Sequence, residues 1–191
     1  LLWDQYTYSY GTNDDIYGDE NSEVHISSEI IGEKRPHLDG GIPPVISRIG
    51  IDLNTMDLTD DEDYLWLNAL IWPEHQERRD LFQKAAEYVK AASLTLIEGA
   101  GVELLSRLTK EISNNYCICV FHTHVANQMS QEVKAKLLQQ VKTIGEDREI
   151  YHVYNNIYDR DLHLDYYIDG EEFTKKVGKT DGHGRWFSWE L

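Results

Sequence analysis

Short apolar strands alternate with amphipathic helices between residues 46 and 154, and this alternation constrains the fold more than any other feature of the chain. When a helix separates two consecutive strands, the connection is almost always a right-handed crossover and the strands pair in parallel. Helices then cover both faces of the sheet. The sequence therefore predicts a three-layer α/β fold with a mostly parallel sheet. The predicted strands are Ile46–Leu53, Leu94–Ile97, Tyr116–Phe121 and Glu149–Tyr154.

The alternation stops after Asp161, where the pattern changes to that of a β-hairpin. Two strand-like runs, Leu162–Ile168 and Phe173–Val177, flank the dipeptide Asp169–Gly170, which favours a tight two-residue turn. We expect this hairpin to add an antiparallel edge to the sheet. The rest of the chain is predicted to form a short helix and then a loop over residues 1–22, a strand over Val24–Ile31, a loop over residues 32–45 and a last strand at Arg185–Trp189.

Local signals predict where three of the helices begin. The run from Thr59 to Glu62 is a capping box, which predicts a helix that ends near Ile71. Pro73 is suited to the first turn of the next helix, and Ser130 is a predicted N-cap. With 191 residues and no convincing linker, the chain is predicted to form a single domain over residues 1–191.

The charge of the chain excludes some partners. Acidic residues outnumber basic ones by 34 to 18, which gives a formal net charge of −16. Binding to nucleic acid or to an anionic membrane requires a basic surface, so neither is expected. No apolar run approaches the ~20 residues of a membrane-spanning helix. The negative charge serves either solubility or an acidic functional face.

The two cysteines and the first residues of the chain give information about the cellular compartment of the protein and about its processing. Cys117 and Cys119 fall on a predicted strand, where they would share a face and could not easily bridge each other. We expect buried, reduced thiols and therefore a cytoplasmic protein. The chain begins at Leu1 without a signal-peptide pattern, so we expect a piece of a longer or processed product.

Two strand ends carry residues suited to a cofactor. An acid at the end of a strand can accept both hydroxyls of a ribose, which makes Asp52 a candidate ligand, with Asn54 beside it. At the next strand end, Gly99 and Ala100 would let a ligand approach the backbone. A turn or a helix cap is the structural alternative at both places.

A third strand end carries His122 and His124, which follow Phe121. The two histidines share a face if the strand continues, and either could bind a metal or transfer a proton near neutral pH. A metal needs a third ligand that the sequence does not nominate, so we expect no stoichiometric zinc. The alternative is a pair of histidines bonded to backbone groups. Asn155 and Asn156 end the next strand and could line the same crevice.

Five segments together resemble a bacterial family known as domain of unknown function 2332, over nearly the whole chain. These segments are Tyr6–Gly11, Arg48–Asn54, Leu70–Glu74, Phe121–Thr123 and His183–Trp186. The family is similar to the Rossmann-like class I methyltransferases, which bind S-adenosylmethionine. The resemblance thus implies a Rossmann-like fold and this cofactor, with an unknown methyl acceptor.

The resemblance also implies roles for individual residues. Asp52 would face the cofactor ribose, Gly99 and Ala100 the adenine, and His122 to His124 the floor of the crevice, with Asn54 and Phe121 as further contacts. In the family, a glycine loop directly precedes the segment that matches Leu1. We therefore expect this chain alone to bind S-adenosylmethionine poorly and a longer chain to bind it through Asp52.

The residues leave two kinds of function open. The first is a methyltransferase-like protein that binds S-adenosylmethionine and a small-molecule substrate, with His122 and His124 as catalytic candidates. The second is either a non-catalytic α/β module or a domain in which His122 and His124 hold a metal for hydrolysis. The sequence does not determine the oligomeric state.

Overall fold

The computed structural model describes residues 1–11, 16–38 and 40–191. The chain divides into two compact units, and each is described by itself below. The first comprises Leu1–Ser28 and His37–Ala100, and the second comprises Glu29–Pro36 and Gly101–Leu191. The prediction of one domain over the whole chain stays a prediction.

The first unit begins with small strands in a tyrosine-rich segment. A 3-10 turn at Trp3–Gln5 precedes strands β1 (Thr7–Tyr10) and β2 (Ile16–Gly18), which pair in antiparallel fashion. In this unit, residues 25–28 of β3 (His25–Ile31) pair in parallel with β1. Strands β1 and β2 lie within residues 1–22, where the sequence predicted a short helix and a loop, so that prediction is wrong for these residues. Residues 12–15 of that range lie outside the described part of the chain.

The first unit also contains a parallel strand pair and two helices. Strand β4 (Ile49–Asp52) pairs in parallel with β5 (Thr95–Glu98), and helices α1 (Asp61–Ala69) and α2 (Gln76–Ala91) connect them. The N-cap of α1 is Asp60, whose carboxylate accepts from two backbone N–H groups, rather than the predicted Thr59. Pro73 lies before α2 instead of within its first turn.

The second unit is a four-stranded sheet with two helices. Its elements are α3 (Gly101–Glu111), β6 (Ile118–His122), α4 (Gln131–Gly145), β7 (Ile150–Tyr154), β8 (Leu162–Ile168), β9 (Glu171–Gly178) and β10 (Trp186–Ser188). The sheet order is β6–β7–β8–β9, and only β6 and β7 pair in parallel. The short strand β10 pairs with residues 29–31 of β3.

Two local predictions in the second unit are confirmed. The Ser130 hydroxyl accepts from the backbone N–H of Val133 and so caps α4. Asp169 and Gly170 join β8 to β9 with φ angles of 52° and 77°, both in the left-handed region that a two-residue hairpin turn requires.

The core of the second unit forms where α3 and α4 pack against one face of the sheet. It contains apolar side chains from both helices and from the strands: Val102, Leu105, Ile118, Leu137, Val141, Ile150, Tyr154 and Tyr167. Strand β7 alternates between buried and half-buried residues, as expected for a central strand covered mainly on one face.

The fold is mixed α/β, with several sheets and, within the described residues, four α-helices. The four predicted parallel strands form two parallel pairs, β4 with β5 and β6 with β7, that belong to separate sheets. A single sheet that contains all four strands is not seen in the part of the chain that is described.

Both cysteines are free and exposed, so the prediction of buried thiols is wrong. Cys119 lies on the face of β6 opposite to Ile118, and only the Ile118 side is buried against the helices. The sequence predicted that Cys117 and Cys119 share one face of the strand, but it could not show that the face carrying Cys119 is left open.

Among the helices of the described residues, none combines the length and the apolar character needed to cross a membrane.

The packing of α4 on β8 predicts the effect of a small substitution at Gly145. A Cβ atom at this buried glycine would lie 2.2 Å from the Tyr167 ring. Alanine is favoured over glycine in a helix by about 1 kcal/mol, so Gly145→Ala would stabilise the protein if space allowed. We expect Gly145→Ala to lower the free energy of unfolding by roughly 1–3 kcal/mol instead.

Urea denaturation measures this change. Gly182→Ala is the matched control, because a Cβ there meets nothing within 4 Å. If Gly145→Ala is as stable as the wild type, α4 does not pack on Tyr167 as described.

Candidate functional site

The first unit brings four of the predicted cofactor residues together. Asp52 ends β4 directly opposite Glu98 at the end of β5. The Gly99 N–H donates to the Asp52 carbonyl oxygen over 2.8 Å, and the Asn54 N–H donates to Asp52 Oδ1 over 3.0 Å. Asp52, Asn54 and Ala100 are exposed. The exposed side chain of Asp52 is therefore at the end of a strand whose backbone bonds to Gly99, and the role of these residues in binding a cofactor stays a prediction.

Gly99 has the conformation that leaves this backbone bare. Its φ angle is 150°, which residues with a side chain rarely adopt. The glycine is thus required by the geometry of the turn after β5, and it also keeps the backbone beside Asp52 free of a Cβ atom.

The other predicted site residues, Phe121, His122 and His124, belong to the second unit. Phe121 is half exposed on the face of β6 opposite to His122. His124 has a φ angle of 64°, and its backbone N–H donates to the Asn155 side-chain oxygen over 2.8 Å. The strand ends at His122, so the shared face that an extended strand would give to the two histidines is not formed.

His122 pairs with a histidine that the sequence analysis missed. Its Nε2 atom lies 3.1 Å from Nε2 of His152 on the neighbouring strand β7. One ring must donate and the other must accept, so the hydrogen bond forms only when at least one imidazole is neutral. His152 is fully buried, and its sequence neighbours Tyr151 and Val153 give no sign of a polar partner. Only the register of β6 on β7 reveals that His122 lies close to it.

Burial lowers the pKa of both imidazoles. For His152 burial is the main cause and the nearby His122 adds to it, which brings the pKa to about 3. For His122, which is half-buried, burial is also the cause of the lowered pKa. Both rings are therefore held neutral near pH 7 by their surroundings.

Tyr154 extends this polar cluster towards strand β8. Its hydroxyl donates to Asp165 Oδ2 over 2.9 Å, and its ring stacks on His163 with 5.4 Å between centroids. His163 Nε2 in turn lies 2.9 Å from a carboxylate oxygen of Asp159. We call His122, His152, Tyr154, His163 and Asp165 the histidine–tyrosine network.

The network holds an uncharged tyrosine and a carboxyl group with a raised pKa. Burial, followed by the charge of Asp165, raises the pKa of Tyr154 far above its ordinary value. Burial likewise raises the pKa of Asp165, although the hydroxyls of Tyr154 and Thr174 oppose this shift. Groups with perturbed pKa values that meet in one place are typical of functional sites.

Three buried polar atoms of the network have no hydrogen-bond partner. They are Nδ1 of His122, Nδ1 of His152 and Oδ1 of Asp165. An unpaired buried polar atom lowers the stability of the folded protein by about 1–3 kcal/mol. A ligand or water that bonded to such an atom would recover part of this free energy.

Metal binding was an alternative for His122 and His124. Within the described residues, no group of three or more His, Cys, Asp or Glu side chains is arranged to hold a metal ion. The structure therefore supplies no third ligand for these two histidines in the part of the chain that is described.

Comparison with known proteins gives a family and no activity. A family model described as "Uncharacterized protein conserved in bacteria (DUF2332)" matches residues 1–189. The chain belongs to this family. No curated protein and no solved structure matches the chain. The resemblance found in the sequence is thus confirmed for the family, whose description names no reaction, cofactor or substrate.

The lowered pKa of His152 predicts how stability depends on pH. The unfolded chain takes up a proton at His152 near the ordinary pKa of 6.5, whereas the folded chain does so only near pH 3. Stability from this residue is therefore present above about pH 6.5 and is lost progressively as the pH falls towards 3. His152→Gln removes the titration and keeps a side chain that can bond to His122.

Urea denaturation at about pH 7 and about pH 5 measures the effect. We expect the drop in unfolding free energy between these pH values to be smaller in His152→Gln by roughly 1–2 kcal/mol. His183→Gln, at an exposed position, is the control and should leave the drop unchanged. An identical drop in wild type and His152→Gln would show that His152 is not buried in its neutral form.

Proposed function

We propose that this protein is methyltransferase-like and binds S-adenosylmethionine at the carboxyl ends of β4 and β5. The proposal includes a Rossmann-like, three-layer arrangement of the parallel strands. The observation that supports it is the pairing of the two strand ends, in which the Gly99 N–H donates to the Asp52 carbonyl oxygen while the Asp52 side chain is exposed.

The donor set fits a nucleoside. A carboxylate at a strand end is suited to accept hydrogen bonds from both hydroxyls of a ribose. Asp52 occupies such a position, and its Oδ1 already receives the Asn54 N–H, which fixes the carboxylate on the turn. The backbone of Gly99 and Ala100 would contact the adenine in this proposal.

The local charge fits the positive sulfonium of this cofactor. Asp52 and Glu98 are direct neighbours across the two strands, and both are exposed. Like charges opposite each other destabilise a strand pair, and a cationic ligand between them would relieve the repulsion. When bound, S-adenosylmethionine supplies an activated methyl group, and the methyl acceptor is not identified.

Among the residues of the second unit, His122 is our candidate for a proton acceptor. It is half-buried, whereas its partner His152 has no exposed surface, so His122 is the more exposed imidazole of the pair. Burial keeps it neutral near pH 7, the form that accepts a proton. His124 stays a catalytic candidate, and Phe121 stays a candidate contact of the cofactor.

Titration calorimetry with S-adenosylmethionine tests the cofactor proposal on the natural full-length protein. Asp52→Asn keeps the shape of the side chain and removes its charge. A hydrogen bond to a charged group contributes about 1.5–3 kcal/mol, so we expect Asp52→Asn to weaken binding by roughly tenfold to a hundredfold.

Asp80→Asn is the matched control, since Asp80 is an exposed aspartate of α2 that bonds only within its helix. It should bind as the wild type does. The proposal is overturned if the wild type shows no binding, or if Asp52→Asn binds with unchanged affinity.

A further inference from the structure

The second unit contains a cavity that the proposed function does not use. It has a volume of about 270 Å³ and lies between α4 and strands β8 and β9. Helix α4 supplies an apolar wall with Ala135, Leu138 and Val141, and the strands supply a polar wall with Asp165, Glu172 and Thr174.

Asp165 is the unusual member of this lining. The residue is only 7% exposed, and its Oδ2 atom accepts the Tyr154 hydroxyl. Its Oδ1 atom is buried and has no hydrogen-bond partner. Because a buried carboxylate oxygen is seldom left unpaired, this atom indicates a missing donor.

The other charged residues of the cavity are already paired. Glu172 accepts from Lys142 through one oxygen and from the Tyr167 hydroxyl through the other, both over 2.8 Å. Lys142 and Glu172 therefore neutralise each other. Within the described residues, no basic side chain forms an ion pair with Asp165. The cavity thus has one acidic group without a counter-charge.

Two tyrosines complete the environment of Asp165. Tyr158 and Tyr167 also line the cavity, and Tyr158 is largely exposed. Tyrosine rings attract cations over their faces, and the apolar wall of α4 would contact an alkyl chain. Acceptor, rings and apolar wall together match an organic cation better than an anion.

We propose that this cavity binds a small organic ammonium ion, which donates to the carboxylate of Asp165 while its alkyl part contacts Leu138 and the tyrosine rings. The volume lies below the roughly 300–1,000 Å³ typical of pockets for drug-sized ligands, so the ligand is a small amine. The site is independent of the cofactor proposal, since Asp52 and Gly99 belong to the first unit.

Titration with n-butylammonium chloride, followed by two-dimensional NMR of the protein, tests this proposal. The chloride concentration is kept constant with sodium chloride, and 1-butanol serves as the uncharged analogue of similar size. We expect saturable shifts at the residues of the cavity with butylammonium, in the millimolar range expected of so small a ligand. Butanol should give at least tenfold weaker binding.

Three variants locate the binding. Asp165→Asn removes the charge and should weaken binding by tenfold or more. Ala135→Trp fills the cavity from the exposed side of α4 and leaves Asp165 in place, so it decides the question if Asp165→Asn does not fold. Glu171→Gln removes an exposed charge outside the cavity lining and should bind as the wild type does.

Weaker binding in Asp165→Asn, or in Ala135→Trp if Asp165→Asn does not fold, supports the proposal when binding is kept in Glu171→Gln. Absence of saturable shifts in the wild type overturns it. Equal affinity for butanol, or unchanged binding in a folded Asp165→Asn or in Ala135→Trp, also overturns it.

Discussion

Strand β7 is buried along one face, where the side chains of Ile150, His152 and Tyr154 have no exposed surface. Two of these three residues are polar, and a polar group buried without a partner destabilises the fold. The register of the neighbouring strands provides the partners, His122 on β6 and Asp165 on β8. Most of the chemistry of the second unit follows from this requirement.

The same requirement is met only in part. His152 and Asp165 are opposite each other across β7 and β8, yet each keeps one buried polar atom without a partner. A polar network that is not fully paired has a high free-energy cost in a low-dielectric interior. Asp165 also lines the cavity under α4. A donor bound in that cavity would therefore be linked to Tyr154 through the Asp165 carboxylate.

Local signals in the sequence predicted much of the fold. The hydroxyl of Ser130 and the turn at Asp169–Gly170 act through neighbouring residues only, and both were predicted correctly. Strand β1 was missed because its residues are stabilised by pairing with β3, a contact that no local pattern of Tyr, Thr and Ser reveals. The same limit explains why these strands were correctly predicted to pair in parallel while their division into separate sheets was not foreseen.

In the candidate site, too, residues were found from local signals and a partner that is distant in sequence was missed. Asp52 and Gly99 were predicted from strand ends, and the pairing of β4 with β5 brings them into contact. His122 was named with His124, because a continued strand would place them together. The left-handed backbone at His124 ends the extended geometry, and the partner of His122 is instead a residue 30 positions away.

The two-residue turn at Asp169–Gly170 has a consequence for how the second unit folds. It joins β8 and β9 through contacts that are close in sequence, so the chain loses little entropy when this hairpin closes. Isolated hairpins of this kind form in about 1–10 μs. The pairing of β6 with β7 must instead close a loop that contains the whole of α4, and contacts of such long range form more slowly. We therefore expect β8 and β9 to be the first strands to pair, and β7 to add to an edge that already exists.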